Sequence, residues 1–212
     1  MTPPQAWPFL ANAVDEIVEE YGYLTDVESY DDGSEQRMQL RRHPVGSLEY
    51  SFFGFDLVDG QAAQLLLYAN RTKSWVVPHW PHARPLQSAA TAGDGVLLVD
   101  TTNAPFQDPL GLGPYALVWR DARTYEVVTI TEVDPGQIVL SAPLAKSWAV
   151  PGTYVIPCRV GVLDGSIEPQ WDTGTVHSGR LRFSFNAWVA TLPSPPAGGL
   201  VQVEDAVQPI GG

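Results

Sequence analysis

A single cysteine, Cys158, stands in a chain of 212 residues, so no internal disulfide framework can hold the fold together. Its setting, Val155-Ile156-Pro157-Cys158-Arg159-Val160, is that of a small strand residue. Lysine is nearly missing too: Lys73 and Lys146 are the only two, and the other ten cations are arginine. Arginine's planar guanidinium suits bidentate contacts at subunit interfaces, and a GC-rich genome's codon preference accounts for the bias equally well. Charged residues make up only 17% of the chain, below the roughly 25% of an ordinary soluble domain. Low charge with many Trp and Tyr fits a subunit that hides surface in an assembly. No apolar run approaches the ~20 residues of a membrane helix. The opening, Met1-Thr2-Pro3-Pro4-Gln5-Ala6-Trp7-Pro8, has neither the basic start nor the apolar core of a signal peptide. Synthesis in a cytoplasm follows, with any export by another route. Positive charge is also short, 12 − 24 = −12, which argues against specific nucleic-acid binding, since that affinity rests on cations neutralising phosphates.

What the chain has is apolar and turn-forming material. Hydrophobic residues make up 44%, with 7 Trp, 8 Tyr and 7 Phe beside 19 Gly and 19 Pro. That supplies a core cut by many turns, within one large domain or two small ones. The pattern divides into an N-terminal region over 1–85, a β-rich second region over 86–190, and a Pro- and Gly-rich arm over 191–212. In the first region, Val14, Ile17, Val18 and Tyr21 fall at helical spacing, yet the same stretch also reads as the first strand of a meander. Both alternatives stay open. Residues 24–30 and 35–41 predict a hairpin about the turn Asp31-Asp32-Gly33-Ser34, and a strand follows over 47–53. Residues 60–69 hold the best helix formers of the chain, 75–78 a short strand, and 79–85 an ordered aromatic linker.

In the second region, strands are predicted over 96–100, 115–119, 125–131, 138–140 and 154–156. Compact turns join them, at Gly111-Leu112-Gly113-Pro114, Asp134-Pro135-Gly136 and Pro151-Gly152. A last strand alternates over 180–188. It places Leu181, Phe183, Phe185 and Ala187 on one face, and Arg180, Arg182, Ser184 and Asn186 on the other. The fold expected is mainly β with one or two short helices: an α+β N-terminal unit, then a small β-barrel or β-sandwich.

Candidate sites are few. His79 and His82 are the only close histidine pair, and His43, His177 and Cys158 bring no supporting metal-ligand spacing. Asp31-Asp32-Gly33 lacks the alternating oxygen ligands and closing Glu of a calcium loop. No G-x-S-x-G nucleophile turn is present, and His177-Ser178 follows a plain Gly/Thr turn, Asp172-Thr173-Gly174-Thr175. Glu126 and Glu132, six residues apart, share a face if alternation is unbroken, as a glycosidase pair would require. Two carboxylates on a polar strand face are the commoner arrangement. Gly93-Asp94-Gly95 lacks the Lys of a phosphate loop. Trp119, Trp148 and Trp171 could stack on sugars, though core or interface anchoring is the more frequent use. The sequon Asn70-Arg71-Thr72 has meaning only on secretion. The expectation is no catalytic, cofactor-binding or metal residue: not an enzyme.

Several short segments, taken in order, carry a family resemblance. They are Tyr23-Leu24-Thr25-Asp26-Val27, Gly33-Ser34-Glu35-Gln36-Arg37, Leu40-Arg41, Pro44, Leu48-Glu49-Tyr50 and Val76-Val77-Pro78-His79-Trp80. In the second region come Trp119, Tyr125-Glu126-Val127-Val128, Leu140-Ser141, Pro143-Leu144, Trp148, Pro151-Gly152-Thr153, Val155 and Pro157. From about Trp7 to Trp188 the chain resembles the distal tail or baseplate proteins of long-tailed, siphovirus-type bacteriophages. It departs from them at His43-Pro44-Val45, where an Arg is expected after the proline. The resemblance implies a virion structural subunit at the tail tip. Copies would form a ring, hexameric by expectation, between the tail tube protein and the baseplate hub, fibres and other tip proteins, with no membrane partner. Neighbouring strands would extend one another's sheets, and an acidic lumen would repel passing DNA. A glycan- or receptor-binding tail module is the alternative.

Overall fold

The computed structural model describes residues 4–12, 15–22, 25–30, 35–39, 45–54, 56–106, 114–165, 170–171 and 177–185. The expected turns at 31–34 and 111–113 and the arm over 191–212 lie outside them. The protein is mainly β, with one α-helix among the described residues. The chain begins with β1 (Gln5–Ala6), β2 (Val18–Gly22), β3 (Thr25–Ser29), β4 (Glu35–Gln39) and β5 (Val45–Gly54). Next come α1 (Leu57–Asn70), β6 (Ser74–Pro78), a 3-10 turn (Trp80–His82) and β7 (Arg84–Pro85). The remainder is β8 (Val96–Leu98), β9 (Tyr115–Trp119), β10 (Tyr125–Asp134), β11 (Gln137–Leu140), β12 (Tyr154–Asp164), β13 (Gln170–Trp171) and β14 (His177–Phe185).

Between helix and strand for the segment near residue 18, tertiary pairing decides. Val18 to Gly22 lie antiparallel on β5, with Glu19 opposite Leu48. Five ladder positions outweigh the weak helical periodicity. The predicted hairpin is present, Thr25 opposite Gln39 and Ser29 opposite Glu35. Helix α1 starts at the Asp56 cap, whose carboxylate accepts from the Val58 N–H at 2.8 Å. The expected linker at 79–85 contains a 3-10 turn and a strand that pairs with β12.

One large sheet runs in the order β2-β5-β14-β12-β9-β10-β11-β8, while β3 and β4 form a sheet of their own. Part of the large sheet closes on itself. β12 pairs β9, β9 pairs β10, β10 pairs β11 and β11 pairs β8. Leu86 then bridges Val99, and the preceding β7 lies back on β12. The enclosed core is mainly aliphatic, including Leu97, Val99, Val118, Val128, Ile130, Ile138 and Val155, and Trp148 and Phe106 complete it. This small barrel is closed on its last side only by the Leu86–Val99 bridge and by the Gln87 N–H, which donates to the Leu98 carbonyl at 2.9 Å; β8 otherwise ends the sheet order.

The second core is aromatic: Trp7, Phe9, Tyr50, Phe52, Trp75, Trp80, Phe183 and Phe185. Its residues come from far apart in the chain. Trp7, fully buried, meets Phe9, Phe52 and Trp75 with ring centroids 4.9, 5.0 and 6.1 Å away, near the edge and tilted geometries such rings prefer. β14, from the part of the sequence assigned to the second region, pairs β5 over nine positions and fills this core. Two glycines make room for its rings. A Cβ on Gly161 would stand 2.8 Å from Phe185, and one on Gly179 would stand 2.6 Å from Phe52.

β12 belongs to both cores. Tyr154 to Cys158 pair with β9, and Cys158 to Val162 pair with β6. The sequence predicts a strand ending at 156 because Pro157 cannot donate to a ladder. The structure carries β12 on to Asp164. Pro157 lies where the partner changes from β7 to β6, and its carbonyl accepts from the His79 N–H at 2.9 Å. In an antiparallel strand N and O of one residue point the same way, so the missing N–H faces the 3-10 turn instead of a ladder.

Candidate functional site

One gathering of titratable groups sits at the rim of the aromatic core, where β2, the end of β6 and β12 converge. Alternation along β2 sends Glu19 and Tyr21 toward the inner side and Glu20 outward. Glu19 Oε2 lies 3.1 Å from His79 Nε2, and its other oxygen takes the Arg159 guanidinium and the Tyr21 hydroxyl. Arg159 also lies over the rings of Tyr21 and Phe185, 5.4 and 5.7 Å from their centroids. Burial would raise the Glu19 pKa, but Tyr21, Arg159 and His79 together outweigh it and hold the carboxyl below its ordinary range. The same burial pushes the Tyr21 hydroxyl up, and its bond to the Glu19 carboxylate adds to that.

His79 and His82 do come together: their rings stack at 4.7 Å, 19° from parallel. Stacking is not chelation. His82 is held below the usual imidazole pKa by burial, with His79 and Arg84 adding to the effect. Among the described residues no group of three or more His, Cys, Asp or Glu side chains could hold a metal ion. His43 and the side chain of His177 lie outside the description. Cys158 is buried, its thiol donates to the Ile156 carbonyl at 3.3 Å, and burial raises its pKa well above the usual thiol value. It is not a ready nucleophile. The Glu19 cluster therefore ties three segments far apart in sequence, with its acid and base neutralising one another.

The outer face of the same sheet carries a second charged array. Arg182 reaches Glu20 at 2.9 Å, Asp164 at 3.8 Å and Glu49 at 3.9 Å, and Arg180 pairs with Glu49. The polar face read from residues 180–184 is thus present, and its arginines are matched by carboxylates from β2, β5 and β12.

Glu126 and Glu132 do not share a face. β10 carries a bulge between Ile130 and Glu132, one extra residue against β11. Before it, Glu126 lies opposite Val118, on the barrel-core side; after it, Glu132 lies opposite Val139, on the other side. A bulge reverses strand parity, which a count of residues could not foresee. Glu126 instead clamps the segment after β11. Its carboxylate accepts from the N–H groups of Ala145 (2.7 Å) and Lys146 (3.2 Å) and from the Trp148 indole (3.3 Å). Trp148 is buried, and the Trp119 indole donates to the Pro8 carbonyl at 2.7 Å. Both are anchors. The Trp171 side chain lies outside the description, as do 31–33 and 172–175.

The remaining motifs resolve into structure. Asp94 accepts from the Thr91 N–H and hydroxyl at 2.7 and 3.0 Å, closing a turn with Gly93 at φ +102. Asn70 is buried at the helix end, its amide donating to the Leu66 carbonyl at 2.9 Å, where no glycan has room. Sequence reasoning missed Arg159 and Glu19, which are 140 residues apart and carry no local signature. No protein-family model matches the chain, and no curated protein matches it significantly.

Proposed function

We propose that the chain is a structural subunit of the tail tip or baseplate of a long-tailed bacteriophage. It forms a ring at the distal end of the tail tube and links that tube to the hub and fibres. The observation that carries this reading is an unfinished sheet. Among the described residues β2 ends the order of the large sheet, and directly after it β3 and β4 pair as a two-stranded ribbon. A two-stranded ribbon is marginal in water by itself, and an open strand edge is a template for a further strand. A neighbouring copy that laid its ribbon against this edge would complete both, with the same contact repeated around a closed ring. The closed barrel then serves as an outward docking body. Its charges are spent on internal ties such as the Glu126 clamp, which suits a mechanical part better than a catalyst.

The test is electron microscopy of the purified chain and of tails from particles carrying a tagged copy. Closed rings, and the tag at the tail end, are expected. A persistent monomer absent from particles would sink the reading. Replacing alternate residues of β2 or β4 with proline should abolish rings while leaving the barrel folded. The glycan-binding alternative finds less support, because Trp119 and Trp148 are engaged internally.

A further inference from the structure

Helix α1 is apolar on two sides. Gly60, Ala63, Leu67 and Asn70 face inward and are buried. The opposite side carries Val58 (54% exposed), Leu65 (70%) and Tyr68 (66%), with Ala62 and Ala69 also exposed. Val58, Ala62, Leu65 and Ala69 follow the i, i+4, i+7, i+11 spacing of a single stripe. A surface helix normally turns charge outward, and this stripe has none. The charges stand at its two ends. Asp56 and Asp59 lie at the start, where Arg123 neutralises part of them. Arg71 and Lys73 lie exposed just past the end.

We infer that this face pairs with the α1 of a second copy of the chain, the two helices running antiparallel about a two-fold axis near Ala62 and Leu65. Three observations select that occupant. A two-fold antiparallel arrangement sets the carboxylate end of each helix against the arginine-lysine end of the other, and aligns their dipoles favourably. Ala62 and Ala69 are small enough to let the helices approach within the usual 8–10 Å. An anionic membrane surface is disfavoured by a net charge of −12 and an uncharged helix face. One helix pair falls short of the ~800 Å² per partner of a standard interface. The contact is therefore weak between free chains and gains strength where many copies meet across two-fold axes at once, as between two rings placed face to face. It does not rest on the ring reading, since it joins chains through a surface other than the β2 edge.

The test reads mass and direction in the full chain. Sedimentation over the micromolar to sub-millimolar range should show self-association, weakened about tenfold or more by Leu65→Glu, as for a central anchor. In oxidative cross-linking, Val58→Cys mixed with Ala69→Cys should give the linked species, and either variant alone should give little. The native Cys158 is buried and stays out of the reaction. If rings form but Leu65→Glu leaves the mass unchanged, the helix pairing is overturned and the ring stands. If Val58→Cys links to itself as readily as to Ala69→Cys, the antiparallel pairing is overturned. Dimers without rings would support the pairing and count against the ring.

Discussion

The two cores of this protein are built by opposite means. The barrel takes its strands from one stretch of chain, between Arg84 and Asp164, and joins β9, β10 and β11 by two tight hairpins, one of them the Asp134–Gln137 turn with Gly136 at φ +81. Its contents are mostly aliphatic, and a single bridge, Leu86 to Val99, closes its last side. The aromatic core gathers β1, β5, β6, part of β12 and β14; among the described residues its sheet ends at β2, and α1 leaves an apolar face exposed. Local pairing makes a body that is finished alone. Long-range pairing makes one whose remaining surfaces invite company.

The sharpest way to break that contrast is to hollow out each core in turn. Trp7→Ala should cost about 3–5 kcal/mol and Ile138→Ala about 2–5 kcal/mol, read by chemical denaturation. Because β12 serves both cores, each variant should melt in a single transition, and two separate transitions would show the cores to be independent. Next in size, Gly161→Val and Gly179→Val drive a side chain into Phe185 and Phe52 and should each cost about 1–3 kcal/mol. Losing the clamp by Glu126→Ala should cost about 1–2 kcal/mol. Trp148 fluorescence should shift with it, and the aromatic core should be untouched.

Acid should discriminate between the cores as well. His82 is depressed in the folded state, so the fold binds fewer protons there and stability falls as pH drops below the ordinary imidazole value of 6.5. Glu19 is also depressed, so its contribution is present above the ordinary 4.5 and is lost as pH falls through its lower folded pKa. Both losses belong to the rim of the aromatic core. Glu19→Gln should flatten the steeper, lower part of the acid transition, measured by thermal melts across pH. The smallest effect expected is Leu65→Glu on the isolated fold, within about 0.5 kcal/mol, as for an exposed position.

The sequence announced elements whose signal is local. β9 begins and ends where its apolar run does, α1 surrounds its run of good helix formers, and Leu181, Phe183 and Phe185 turn inward as their alternation requires. It misled where the deciding partner is remote. Pro157 hid the second half of β12, because only the change of partner from β7 to β6 makes a proline tolerable there. Val18 to Gly22 were ambiguous until β5 supplied a ladder. The pairing of Glu126 with Glu132 failed on one bulged residue. The contacts of Arg159 with Glu19, and of Trp119 with Pro8, join positions that nothing nearby in the chain connects.

β12 passes without a break from the barrel into the sheet, held by ladders along both halves. A pull or twist applied to the barrel therefore travels along a continuous covalent strand, with no pliable joint between to absorb it. Whatever seizes one end of this molecule turns the other end with it.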